Sequence, residues 1–392
     1  MLKKRYLQAK IEKDLESKMV FIGGPRQVGK TTLSNLIGKE KYPVFSYLNW
    51  DNSQDKKIIM SSEFDPKSKL LIFDEIHKYP RWKNYIKGQF DKYKERFSII
   101  VTGSARLDLY KKGGDSMLGR YHYFRLHPFS LAELLSDKLP GIEPFAELTF
   151  PENQQSFSIF QKLLTFGGFP ESLFAENMET SRRWHNQRIE RIVKEDIRDI
   201  ENIRNLSLLQ ILVDNLPDRV GSLLSLNSLR EDLEVTHKTI SFWMNILENF
   251  YYHYRIYPFM SKTIRSLKKE PKMYLWDWSQ VPDDGARLEN MVGSHLLKLC
   301  HYLHDAKGYK AELSFLRDID QHEVDFLITV DKKPWLAVEV KTAEQKISKD
   351  LRYFGEKLKI PFCYQLTTNE NVDFLKDNIR VMSVDKFLSG LI

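Results

Sequence analysis

The stretch GGPRQVGKTTL, running from Gly23 to Leu33, decides the fold. Residues Gly24 to Thr31 fit the spacing G-x-x-x-x-G-K-[ST]. In that pattern glycines let main-chain amides wrap a β-phosphate, a lysine reaches the β- and γ-oxygens, and a hydroxyl ligates Mg²⁺. Its context is the required one: the apolar run MVFIGG precedes it as a strand and TTLSNLIGKE follows it as a helix. Gly24, Pro25, Arg26, Gln27, Val28, Gly29, Lys30, Thr31 and Thr32 are therefore the expected nucleotide-binding residues, with Lys30 on the phosphates and Thr31 on the metal.

Such a loop needs an acidic partner at the end of a second strand. LLIFDEIH supplies Asp74 to hold Mg²⁺, through water, and Glu75 to orient or activate an attacking water. A further strand, FSIIVTGS, ends in small polar groups, of which Ser104 is the candidate γ-phosphate sensor and Thr102 the alternative. Arg120, in SMLGRYHYF, is a candidate to neutralise transition-state charge in cis or from a neighbouring subunit; its other reading is a surface arginine.

Around these motifs, KMVFIGG, YPVFSYLNW, KLLIFDE, FSIIVTGS and YHYFRL each read as buried strands alternating with helices, the pattern of a parallel sheet covered on both faces. The turn-rich KLPGIEPFAELTFPENQQS then leads into a mostly helical middle. There, LNSLREDLEVTHKTISFWMNILENFYYHYRIYPF reads as a helix-turn-helix with a wing: Leu226, Leu229 and Leu233 on one face, Ile240, Trp243, Leu247 and Phe250 on the next, and Thr236 as N-cap. Lys238 would face a major groove, although few basic residues accompany it. The upstream run SRRWHNQRIERIVKEDIRD mixes signs and reads as a solvated helix face.

The last third holds a second constellation. In HEVDFLITVDKKPWLAVEVKT, Asp325 on one strand is followed by Glu339 and Lys341 on the next, two apart and so on one face. Glu289, in ARLENMVGSHLLKL, can add a carboxylate. Glu289, Asp325 and Glu339 form an oxygen-rich set suited to Mg²⁺, and Lys341 can position water and stabilise a pentavalent phosphate. A half-exposed strand alternating charged and apolar residues gives the same pattern with no chemistry.

The 392 residues favour two or three domains, and a net charge of +7 is compatible with a nucleic-acid partner or simply with a lysine-rich surface. The N-terminus has no apolar signal core, and no apolar run is long enough to span a bilayer. Two cysteines, Cys300 and Cys363, argue for a reducing cytoplasm and against a disulfide framework; both are expected to be buried and inert.

GPRQVGKTTL, FDEIHKYPRWKNYIKGQFD, VTGSARLDL, LGRYHYFRLHPFSLAEL and FGGFPE, in this order, resemble the bacterial and archaeal AAA+-type P-loop ATPases joined to a C-terminal domain of unknown function with a restriction-endonuclease-like fold. The likeness covers nearly the whole chain and is specific in the first 135 residues. It implies ATP as the nucleotide. It also implies an extra strand between those bearing Gly24 and Asp74, a slot that YPVFSYLNWD fills. It implies that Asp325, Glu339 and Lys341 follow the metal-dependent nuclease signature of such folds, with Val324 where proline is frequent. The expected architecture is an α/β P-loop ATPase domain over 1–135, a helical region with a winged helix over 136–265, and a PD-(D/E)xK nuclease-like α/β domain over 266–392. The expected function is a Mg²⁺-dependent ATPase switch or motor whose C-terminal domain binds DNA and is a candidate to cleave it, with homo-oligomers or a protein partner in view. The rival expectation is a nucleotide-gated signalling scaffold with an inactive C-terminal binding module.

Overall fold

A computed structural model describes residues 3–103, 117–138, 140–197, 205–260, 270–342 and 346–392. The chain divides into two compact units. The first takes in residues up to His127 together with Asn249–Tyr251, the second Pro128–Glu248 and Tyr252–Ile392. By this division the helical middle clusters with the last third, and the first unit ends at His127.

In the first unit, α1 (Gln8–Asp14) precedes β1 (Met19–Gly23), α2 (Lys30–Lys41), β2 (Phe45–Asn49), α3 (Ser53–Ser61), β3 (Leu70–Asp74), α4 (Trp82–Tyr93), β4 (Ser98–Thr102) and β5 (Tyr121–Arg125). The strands form one sheet in the order β2-β3-β4-β1-β5, every pairing parallel. All five residues of β1 and of β3 are buried, as continuous apolar runs require when helices cover both faces. Phe45–Asn49 does lie between β1 and β3 in sequence. In the sheet it is the edge beyond β3, and β4 stands between β1 and β3. The core is markedly aromatic, with Phe21, Trp50, Phe64, Phe73, Trp82 and Phe97 buried together.

The second unit opens with α5 (Leu131–Leu135), whose Ser130 and Glu133 form a capping box. Helices α6 (Ser156–Phe166), α7 (Pro170–Ala175), α8 (Met178–Glu190), α9 (Leu206–Asn215), α10 (Leu226–Asp232) and α11 (His237–Asn249) follow. Strands β6 (His253–Pro258) and β7 (Lys272–Leu275) lead to α12 (Asp284–Lys307), β8 (Ala311–Arg317), β9 (Glu323–Val330) and β10 (Lys333–Lys341). The chain ends with α13 (Lys349–Leu358), β11 (Phe362–Thr367), β12 (Asp373–Lys376), β13 (Ile379–Ser383) and α14 (Val384–Ser389). One mixed sheet in the order β12-β13-β11-β10-β9-β8-β6-β7 carries them, with α12 packed on β8, β9 and β10.

The helix-turn-helix is present in α10 and α11, with Thr236 Oγ1 accepting from the Thr239 amide at 3.1 Å. Its expected wing is not. β6 pairs with β7 on one side and runs parallel to β8 on the other, so the pair is built into the large sheet. The aromatic residues that suggested a wing instead serve that sheet's core, where Tyr252, Tyr254 and Tyr274 are buried. The mixed-sign run of α8 also departs from a solvated face. Trp184 and Arg188, four apart, point inward, and the Arg188 guanidinium lies 4.3 Å from the Phe169 ring centre. Cys300 and Cys363 are buried free thiols, and burial raises Cys363 to about 11.

α5 is fastened to α12 by buried polar groups. Lys298 Nζ donates to Pro128 O at 3.2 Å, to Ser130 Oγ at 2.9 Å, and to the Glu133 carboxylate. His295 Nε2 accepts from the Leu131 amide at 3.1 Å while Nδ1 donates to Met291 O at 2.8 Å. Removing one partner of a buried pair strands the other, so Lys298→Ala is expected to destabilise the second unit by about 3–5 kcal/mol in chemical denaturation. Burial also depresses His295 and His253 from 6.5 to about 4. Neutral imidazoles are what this fold accommodates, so their contribution is complete above pH 6.5 and is lost as pH falls towards 4. The unfolding midpoint should drop across that window, and His295→Gln should flatten the drop.

Candidate functional site

The turn from β1 into α2 needs glycine at two places. Gly24 has φ 128, and a Cβ there would meet Leu126 O at 2.4 Å; Gly29, at φ 98, caps α2 in the left-handed region. Between them the backbone curls so closely that Lys30 Nζ donates to Gly24 O at 3.0 Å and Pro25 O at 2.7 Å. Gly24, Pro25, Val28 and Lys30 are buried, Arg26, Gln27, Gly29 and Thr31 half-buried, and Thr32 exposed.

Asp74 closes this loop from below. Its Oδ2 accepts from Thr31 Oγ1 at 2.9 Å and Tyr47 OH at 2.7 Å, and its Oδ1 from Thr102 Oγ1 at 2.6 Å. The register explains the meeting: Asn49, Asp74 and Thr102 are aligned across β2, β3 and β4. Tyr47 was not foreseen; its signal is an inward tyrosine two residues before the end of β2. Burial raises its phenol far above the usual range, and Asp74 adds to the shift. Glu75 takes the left-handed conformation at φ 55 while its amide donates to Thr102 O at 3.1 Å. Burial raises its carboxyl above the ordinary value, and Asp74 pushes the same way against Lys78. Its Oε2 lies 3.5 Å from both Lys78 Nζ and His77 Nε2.

The donor set fits a nucleotide with its cation: glycines where no Cβ fits, a buried ammonium on the loop, and a hydroxyl already on a carboxylate. Thr102, the alternative sensor, is engaged with Asp74; Ser104 lies outside the described residues. Arg120 does not approach the loop within the sheet. It precedes β5 opposite Met19, at the N-terminal end of β1 and so about 13 Å along the strand from Gly23, and its Nε pairs with Asp91 at 2.7 Å. In this arrangement Arg120 stands at the end of β1 away from the phosphate loop. Arg5, missed from sequence, is buried with Nη1 donating to Val28 O at 2.9 Å and Nη2 to His127 O.

In the second unit the structure brings the second constellation together. The antiparallel register Val338↔Phe326 puts Asp325 opposite Glu339 one step on. The Val340 amide donates to Asp325 Oδ2 at 2.9 Å, and Lys341 Nζ pairs with Glu339 Oε1 at 2.8 Å. Glu289 reaches in from α12 and accepts from Tyr274 OH at 2.6 Å. Burial, and then the nearby Asp325, raise both Glu289 and Glu339 above the usual carboxylate range. Carboxylates are the donors a hard divalent cation takes, but the oxygens of Glu289, Asp325 and Glu339 do not all lie within 4.8 Å of one another. Sequence reading missed Lys272 and Tyr274, whose signal is a lysine and a tyrosine two apart in an otherwise apolar strand, KMYL. Elsewhere Asp318, Asp320 and His322 cluster, but as a turn: Asp318 Oδ1 accepts from both the Asp320 and His322 amides.

Comparison with known proteins agrees with the first of these sites. A family model described as an AAA domain matches residues 16–135, and models for two domains of unknown function, DUF8612 and DUF4143, match 158–281 and 284–387. The chain is similar to the uncharacterized protein MJ1544 of Methanocaldococcus jannaschii, at 25% identity over 89% of this chain and 84% of that protein. It is also similar to the uncharacterized protein Rv2008c of Mycobacterium tuberculosis, at 20% identity over 99% and 85%. Among solved structures, a variant of Thermotoga maritima RuvB is similar at 16% identity, covering 64% of this chain and 88% of that one, with a TM-score of 0.31. The family-model match places an AAA-type domain over residues 16–135. Among the described residues no helix is long and apolar enough to cross a membrane.

Arg5→Ala should loosen the loop without emptying it. Loss of a charged hydrogen bond is worth about 1.5–3 kcal/mol, so affinity for a fluorescent adenine nucleotide should fall roughly ten- to a hundredfold in a titration.

Proposed function

We propose that this protein is a Mg²⁺-dependent ATP-hydrolysing switch or motor, with a second, acidic site directed at nucleic-acid phosphodiesters. The observation that carries the first part is the convergence of Thr31, Tyr47 and Thr102 on Asp74, beneath a loop that already holds the Lys30 ammonium. Lys30 neutralises phosphate charge, loop amides orient the triphosphate, and Thr31 with Asp74 would hold the cation. Mg²⁺, when bound, offsets the charge that develops on the phosphates. Glu75, whose burial strengthens it as a base, takes the proton of the attacking water. Arg120, half-buried and bound to Asp91 at the N-terminal end of β1, suits a trans role in an oligomer.

For the second site, support comes from the placement of Glu289 on α12 and of Asp325, Glu339 and Lys341 on adjacent strands. A second reading, an inactive binding module gated by nucleotide, is favoured by one observation: a lysine ammonium already lies against Glu289 and Asp325.

Lys30→Ala should abolish nucleotide binding and phosphate release, whereas Glu75→Gln should keep binding and slow turnover about 10²–10⁴-fold. Unchanged turnover in Lys30→Ala would refute the ATPase reading. Mg²⁺-dependent cleavage of DNA that disappears in Asp325→Ala and Lys341→Ala would favour the nuclease reading over the binding module.

A further inference from the structure

Lys272 is 3% exposed, an unusual state for a lysine, and its ammonium is the centre of an ionic cluster. Nζ lies 2.7 Å from Glu323 Oε1, 3.4 Å from Glu289 Oε1 and 3.5 Å from Asp325 Oδ1. It reaches them because Lys272 and Tyr274 alternate along β7 onto one face, and the Tyr274 hydroxyl completes the grip on Glu289. Burial alone would favour the neutral amine, but Glu289, Asp325 and Glu323 outweigh it and keep the group charged. From the other side the backbone closes in: an atom built on Gly221 would stand 3.4 Å from Glu289 Oε2, and the Gly221 amide donates to Met273 O at 3.1 Å.

Two of these three carboxylates, Glu289 and Asp325, are also the oxygens a divalent cation would use in the second site. A second cation entering there meets the charge of the first, in a region where water screens little. We propose that Lys272 is the built-in counter-ion of the second site, and that it competes with a divalent metal for Glu289 and Asp325. This rests on reading Glu289, Asp325 and Glu339 as a cation site. Lys272 then sets how tightly the site takes metal, and lets the unit fold with its buried acids neutralised when metal is scarce.

The test measures Mn²⁺ binding by calorimetry and by the shift of the thermal midpoint. It uses the nucleotide-free full chain carrying Asp74→Asn, which removes the first cation site. Lys272→Met keeps the buried stem and deletes the charge; Lys272→Gln keeps a donor and serves if the methionine variant folds poorly. The expected result is Mn²⁺ binding at least tenfold tighter in either Lys272 variant than in the lysine-containing chain, a larger upward thermal shift, and loss of the gain on adding Asp325→Asn. Equal affinity with lysine or methionine present, still abolished by Asp325→Asn, would overturn the competition and leave the cation site standing. No Mn²⁺ binding sensitive to Asp325→Asn in any variant would overturn both.

Discussion

One carboxylate organises the first unit. Asp74 accepts hydroxyls from α2, β2 and β4 while standing at the end of β3, so four elements share a single buried negative charge. Hydrogen bonds to an ionised acceptor are about twice as strong as neutral ones, and in a poorly screened interior they fix position as well as energy. The phosphate loop inherits that fixity through Thr31, the first turn of the helix it opens. Glu75, the next residue, is turned into a left-handed conformation by the same strand end.

The second unit neutralises its interior differently, by bringing charges in pairs. Lys298 meets Glu133, and Lys272 lies among three acids. Helix α12 ties two of these together. Glu289 projects from its first half, and His295 and Lys298, further along, hold the chain at Leu131 and Ser130. A rigid helix thus carries both a member of the acidic set and the anchor of α5, where the polypeptide enters this unit.

Much of this was legible from sequence, and unevenly. The five strands of the first sheet were, because each is a short apolar run bounded by turn residues, and the phosphate loop was, because only glycine meets its backbone demands. Period-two alternation put Glu339 and Lys341 on one strand face, but the same alternation marks any half-exposed strand, so pattern alone did not single out a site. What escaped was set by partners distant in sequence. No local pattern says that Arg5 will cap Val28 and His127, or that Arg188 in a charged run will turn inward onto Phe169. YYHYRIYPF read as a wing because a hairpin signal is local, whereas the choice of β6 to join a larger sheet depends on β8, more than fifty residues further on.

The strand order of the first sheet has a consequence for how the protein is made. β1 is bordered by β4 and β5, which follow it by some eighty and a hundred residues, while its neighbour in sequence, β2, lies at the far edge. Loop closure over such spans slows assembly, and the parallel pairings cannot form locally. On a ribosome, the loop that follows β1 stays without its completed sheet until Arg125 has left the exit tunnel. Nascent chains shorter than this expose apolar strands with unpaired edges, the kind of surface that chaperones shield.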